Sequence, residues 1–275
     1  MERLVAHARE VGGPAVVLTF DPHPVRLLRP DAAPPPLTWT DRKAQLLGEL
    51  GVDGLIAYPT DERLLGLSPT SFFESILRDR LGVRAMVEGP NFYFGHDRAG
   101  DIHFLGELCR QHHVQLEVVP PLVEGGSFIS SSRIRMALAQ GDVAFARQML
   151  THPYRIRGMV THGAARGARI GFPTANLDAI DTLLPPPGVY AGQVEWNGQR
   201  HLAAINIGTS PTFADPQVKV EVHILDFHGS LYGQPLEVDF YQRLRDIEKF
   251  SSAEALVQQL RQDVVDTRQV FPGFP

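Results

Sequence analysis

The sequence predicts a two-part chain: an open parallel α/β sheet over residues 1–152, then a small antiparallel barrel or sandwich with a C-terminal helix over residues 153–275. Three observations predict it. Short apolar runs alternate with helical patterns through the first part, as parallel sheets require. Strands of alternating character, punctuated by Gly, Pro and Asn, fill the second. His152-Pro153 separates the two, because proline disfavours helix in the residue before it.

Each element has a local reason. Met1–Ala8 reads as an amphipathic helix with Leu4, Val5 and Ala8 on one side and no cap before it, which points to sequence upstream. Ala15–Phe20, Leu55–Tyr58, Arg84–Glu88 and Val114–Val119 are short strands suited to burial on both faces. Thr40 or Asp41 caps a helix ending at Gly51, and Ser68-Pro69 opens another that Gly82 closes. His103–His112 is helical, Ser130–Ala139 is a helix closed by Gly141, and Asp142 starts one that ends near Leu150. In the second part the strands are Arg155–His162, Val189–Trp196, Leu202–Ile207, Val218–Leu225 and Leu236–Tyr241. Ser251 and Glu254 form a capping box for the last helix, with Leu256, Leu260 and Val264 spaced by four.

Composition limits the function. The chain has 275 residues, 43% of them hydrophobic, enough for packed cores. Its 26 Lys and Arg against 31 Asp and Glu give a net charge of −5, which excludes a generally basic nucleic-acid binder. One cysteine, Cys109, excludes an internal disulfide and a Cys-cluster zinc site, and fits a reduced, cytoplasmic setting. No apolar run approaches the roughly 20 residues that span a membrane, so no membrane partner is expected. Oligomeric state is not legible.

The sharpest chemistry lies in Gly163-Ala-Ala-Arg-Gly167-Ala-Arg169-Ile-Gly171-Phe-Pro-Thr174-Ala-Asn176. Glycines let backbone N–H groups approach an anion, and oriented amides make a phosphate nest. Thr174 and Asn176 stand two residues apart, so on an extended segment they share a side and offer hard oxygens to Mg²⁺. Ser130, Ser131 and Ser132 open a helix whose N–H groups and dipole attract phosphate. Arg133 and Arg135 in its first turn oppose the dipole, so an anionic ligand is expected there.

Gly-x-x-x-Gly-Phe-Pro-Thr-Ala-Asn resembles the signature of riboflavin kinases. Gly208–Phe213, Val220–Phe227, Leu231-Tyr232-Gly233 and Arg243–Asp246 follow in that family's order. Leu18–Pro24, Asn91–Gly95 and Ile129–Arg135 are similar to the adenylyltransferase half of the bifunctional riboflavin kinase/FMN adenylyltransferase family. The resemblance implies a nucleotidyltransferase-like, Rossmann-like first domain and a kinase barrel. It implies that the barrel phosphorylates riboflavin to FMN with ATP and Mg²⁺, and that the first domain converts FMN to FAD.

Site roles follow from the same resemblance. Glu221 is the implied base, although its pattern alone reads as a solvent-facing strand residue. Gly163, Gly167, Arg169, Gly171, Thr174 and Asn176 hold ATP, with Thr174 and Asn176 on Mg²⁺. Phe213 and Arg245 face the flavin. Asp21, Pro22, His23, Asn91, Phe92, Ser130, Ser131, Ser132 and Arg135 serve the adenylyltransferase. The family's His-x-Gly-His phosphate loop occurs nowhere in this sequence. Either the start lies upstream, or that domain is inactive and the chain is a kinase alone. A non-catalytic flavin-binding protein is the remaining alternative.

Overall fold

The computed structural model describes residues 1–163, 166–209 and 218–274, with the side chains of Arg166 and Thr209 left aside. By packing, the chain forms two compact units. One comprises residues 1–34 and 39–128; the other comprises residues 35–38 and 129–275.

In the first unit the parallel strands form two separate pairs. Strands β1 (Val16–Asp21) and β2 (Gly54–Pro59) pair in parallel, as do β3 (Ala85–Glu88) and β4 (Gln115–Val118). A two-residue hairpin, β5 (Val123–Glu124) with β6 (Ser127–Phe128), turns at Gly125-Gly126. The core is Phe72, Phe73, Ile76 and Leu77 packed with Leu105, Leu108 and Cys109 of helix Ile102–Gln111. Asp101 caps that helix by accepting the Phe104 N–H. Burial pushes the Cys109 thiol up to about 11, so it packs as a small hydrophobe rather than as a nucleophile.

Two local expectations move. Helix Thr40–Glu49 starts after Trp39, because the Thr40 hydroxyl is donated to Asp21 at 2.8 Å instead of capping its own helix. The helix opened by Ser68 runs as an α-turn only over Pro69–Phe72, then widens into a π-turn over Phe73–Arg78.

Glu88, at the end of β3, is held out of water, and its carboxyl is pushed up to about 7 even though the Gly89 N–H bonds it. An acid raised above its unfolded value stabilises the fold fully at pH below about 4 and loses that contribution as pH rises through 7. Glu88→Gln therefore raises stability at pH 8 by about 2 kcal/mol and leaves pH 4 nearly unchanged. Paired urea titrations at the two pH values check this; equal shifts at both count against it.

The second unit is a closed antiparallel barrel in the order β10-β11-β8-β7-β12-β9. Its strands are β7 (Tyr154–Thr161), β8 (Ala175–Asp178), β9 (Gly188–Trp196), β10 (Gln199–Thr209), β11 (Val218–Ile224) and β12 (Pro235–Arg245). Strand β8 was read from sequence only as an extended segment. Alternate residues point inward, so Ile156, Ile205, Ile207, Val222, Val238 and Phe240 are fully buried. Tyr190 meets Phe240 edge-on at 5.4 Å between ring centres. Helix Ala253–Val270 is capped by Ser252, which accepts the Ala255 N–H, one residue later than the expected Ser251 cap.

The packing division differs from the expected break at residue 153. Helices Ser131–Ala139 and Val143–Leu150 bury Ile134, Leu138, Val143 and Met149 in the barrel's own core cluster. The strap at residues 35–38 joins them: Leu37 packs there, and the Leu183 N–H donates to the Pro36 carbonyl at 3.0 Å.

Candidate active site

One outer wall of the barrel gathers the polar groups of the glycine segment. Glu221 on β11 is in register with Asn176 on β8 and with Asn206 on β10, and Asn176 is in register with Thr161 on β7. Directly opposed residues share a face, so Thr161, Asn176, Glu221 and Asn206 form a row across four strands. Their neighbours Val220, Val222 and Leu177 fill the interior. Asn206 Nδ2 donates to Glu221 Oε2 at 3.1 Å, which orients the carboxylate and leaves Oε1 to accept another proton. Sequence reasoning missed Asn206 and Thr161; the alternation along β7 and β10 carried the signal, but only register puts them beside Glu221.

The glycine segment closes on this row. A Cβ at Gly163 would run into the Asn176 amide, and one at Gly167 would run into the Phe172 carbonyl. A side chain is therefore excluded at Gly167 by the close backbone, while at Gly163 one would displace the Asn176 amide. Gly171, by contrast, lies at φ +89°, where L-residues are strained. Residues Arg166–Arg169 make one helical turn that leaves Arg169 exposed, and the Phe172 N–H returns to the Gly167 carbonyl at 2.8 Å. Thr174 lines a cavity of about 150 Å³ with Val222, Phe227 and Tyr232, and Tyr232 stacks on His162 at 4.0 Å between ring centres.

Arg245 is committed elsewhere. Its Nε and one terminal nitrogen each donate to Asp263 at 2.7 Å, and the other donates to the Asp246 carbonyl. The Asp263 carboxylate beside it raises the arginine's pKa further above its ordinary value. Phe213 lies outside the described residues.

Ser130 and Arg135, two of the other expected nucleotide residues of this unit, also have protein partners. Ser130 caps helix Ser131–Ala139 by accepting the Arg133 N–H, while Ser131 and Ser132 are exposed. Arg135 Nε donates to the Pro35 carbonyl at 3.2 Å, and the Arg133 guanidinium lies 5.1 Å from the Phe145 ring centre. An anion is therefore not required to explain these arginines.

In the first unit a cavity of about 400 Å³ is lined by Phe20, Pro24, Leu28, Phe72, Phe92 and Phe94, with His96, Asp97 and Arg98 at its polar side. Phe92 and Phe94 stack at 5.4 Å, and Arg98 lies 4.6 Å over Tyr93. Asp97 and Arg98 both have positive φ, a strained backbone of the kind concentrated at ligand sites. Three expected residues cluster where β1 ends. Asp21 accepts from Thr40, the Pro22 carbonyl accepts from Thr60 at 2.6 Å, and His23 Nδ1 accepts the Val25 N–H at 3.3 Å. Asn91 is exposed in the turn before Phe92. Among the described residues no group of three His, Cys, Asp or Glu side chains could hold a metal, and no helix is long and apolar enough to cross a membrane.

Residues 150–271 match the family model for riboflavin kinase, and residues 1–133 match the model for FAD synthetase. The two family models on one chain define a nucleotide-dependent transferase acting on flavins. A bifunctional riboflavin kinase/FMN adenylyltransferase of Pseudomonas fluorescens is 38% identical over 98% of this chain and 86% of its own length. That of Escherichia coli strain K12 is 35% identical over 98% of this chain and 87% of its own. The chain belongs to the bifunctional riboflavin kinase/FMN adenylyltransferase family. A crystal structure described as a macrolide-efflux protein from Streptococcus pneumoniae superposes with a TM-score of 0.85 at 31% identity, over 97% of this chain and 88% of that one.

Proposed function

We propose that this chain phosphorylates the terminal ribityl hydroxyl of riboflavin with ATP on the outer wall that carries Glu221, giving FMN. The observation that carries the reading is the row Asn176–Glu221–Asn206 beside the glycine segment. In this reading Glu221 accepts the hydroxyl proton through Oε1, while the Asn206 amide holds Oε2. Backbone amides of the turn at residues 166–169 cradle the phosphates, with Arg169 adding charge. Phosphoryl transfer asks chiefly for positioning and charge neutralisation, which such a wall provides.

Asn176 on β8 is opposite Glu221, and Thr174 lies just before the strand; two hard oxygen donors near a carboxylate are a donor set that suits Mg²⁺. There the ion would neutralise phosphate charge. The cavity beside Thr174, with its aromatic rim, suits the flat base of the nucleotide. Arg245 acts on the flavin side indirectly, by fixing the end of β12 against the last helix. The kinase activity is assigned to residues 153–275, on the support of helices 131–150, whose apolar faces complete the core.

Riboflavin-dependent conversion of ATP to ADP with appearance of FMN tests the reading. In the same assay Asn176→Ala raises the Mg²⁺ concentration for half-maximal rate by on the order of tenfold. An unchanged Mg²⁺ titration removes Asn176 from the metal site.

The first unit is proposed to carry the second step, transfer of AMP from ATP to FMN. Phe92 and the Asp21–His23 turn would take the flavin, with Asn91 as the nucleotide candidate within this unit; Ser130–Ser132 and Arg135 pack with the other unit. Support comes from the aromatic cavity and its strained rim. FAD formation from FMN and ATP tests this step, and absence of product confines the chain to the first.

A further inference from the structure

Pro173 sits between the glycine segment and β8, and its position creates a problem for the backbone. The ladder between β8 and β11 ends at the pair Ala175–Val222. Two residues further out, beyond Thr174, Pro173 has no N–H to donate, and its carbonyl has no strand partner. The carbonyl is instead bonded by a side chain: His223 Nδ1 lies 2.8 Å from Pro173 O. A carbonyl only accepts, so Nδ1 carries the hydrogen. The same imidazole packs on the Phe172 ring at 5.4 Å between centres. His223 is two residues from Glu221 on the same face of β11. Among the described residues, its bond is the one side-chain hydrogen bond into the backbone of the 163–174 segment.

What it holds matters for the site. The turn at residues 166–169 rests on Phe172: a Gly167 Cβ would meet the Phe172 carbonyl, and it would stand 3.7 Å from Thr174 Oγ1. The amides of Ile170 and Phe172 both return to the Gly167 carbonyl. We infer that His223 is a positioning residue that extends the β8–β11 ladder by one side-chain bond and thereby fixes Pro173–Thr174 and the phosphate-cradling turn against Glu221. Nothing in this role asks the imidazole to exchange a proton. The inference rests on the kinase reading of the same wall, so its test needs one readout independent of catalysis.

The full chain is compared with His223→Ala, His223→Asn and His223→Gln. An Asn amide N–H reaches the place of Nδ1, whereas a Gln amide reaches the place of Nε2. His223→Ala and His223→Gln should raise KM for Mg-ATP roughly 5- to 10-fold, the worth of one such bond, with KM for riboflavin little changed. His223→Asn should restore KM to within about twofold, a fraction of that bond. Independently of activity, hydrogen exchange of peptides covering residues 166–174 should speed up in the Ala and Gln variants and return to the parent rate in Asn. A wild-type chain that makes no FMN defeats the kinase reading and leaves the exchange result to judge His223. If Ala fails to fold, the Asn and Gln pair still decides. Asn as impaired as Gln in both readouts, or a rise confined to the riboflavin KM, overturns the inference.

Discussion

Glu221→Gln lowers the rate of FMN formation by about 10²- to 10⁴-fold, the usual contribution of a positioned general base, while the barrel stays folded. The two parts of that expectation have separate causes. The side chain lies on the outer face, so the amide changes nothing in the interior packed by Val220 and Val222. It keeps the shape of the carboxylate and can still accept the Asn206 bond through its oxygen. What it loses is the capacity to take the hydroxyl proton. Steady-state kinetics with riboflavin and Mg-ATP, alongside a thermal melt, read both parts. Near-normal turnover in the folded variant would falsify the role of Glu221 as base and leave it a surface residue.

The largest stability effect is expected at Asp263. This carboxylate is 2% exposed and takes Nε and one terminal nitrogen of Arg245 as well as the Gln259 amide at 3.0 Å. Removing one partner of such a pair leaves a half-buried charge unanswered and costs about 3–5 kcal/mol, a large share of the 5–15 kcal/mol that typically holds a domain together. Asp263→Ala should therefore lower the melting temperature by roughly 10 °C. Replacing both partners, as Asp263→Leu with Arg245→Met, should recover most of the loss, because well-packed apolar groups often match a buried ion pair. A single variant that melts within about 2 °C of the parent, less than 1 kcal/mol, would show that the pair adds nothing net. The comparison also separates the anchoring role of Arg245 from direct flavin contact: if the double variant is stable and binds riboflavin normally, anchoring is its whole function.

Much of this was legible along the chain because the signals were local. The alternation Val220-Glu221-Val222-His223-Ile224 names an inner and an outer face without any structure. Ser68, Ser130 and Asp142 cap the helices that follow them, since a cap reaches only three residues. The readings that moved depended on distant partners. The sequence offers Thr40 or Asp41 as a cap, but the Thr40 hydroxyl goes to Asp21, 19 residues back. Arg135 was read as waiting for an anion, but its partner carbonyl at Pro35 is 100 residues away. Helices 131–150 announced apolar faces, and nothing in their own pattern said that the barrel would cover them. Strand β8 is four residues behind a proline, too short for its period to stand out. The alternation puts His223 on the outer face, but its bond to Pro173 spans 50 residues.

The alternation on β11 also partitions what natural selection can see. Val220, Val222 and Ile224 answer to folding, and a change there removes the protein from the cell whatever its chemistry. In the proposed roles, Glu221 and His223, interleaved one by one with them, would answer to catalysis while the chain remains abundant. Each constraint thus repeats every second codon and is silent on the codons between. Substitutions within five consecutive residues accordingly fall into two interlocking classes, one read in protein level and the other in flavin supply.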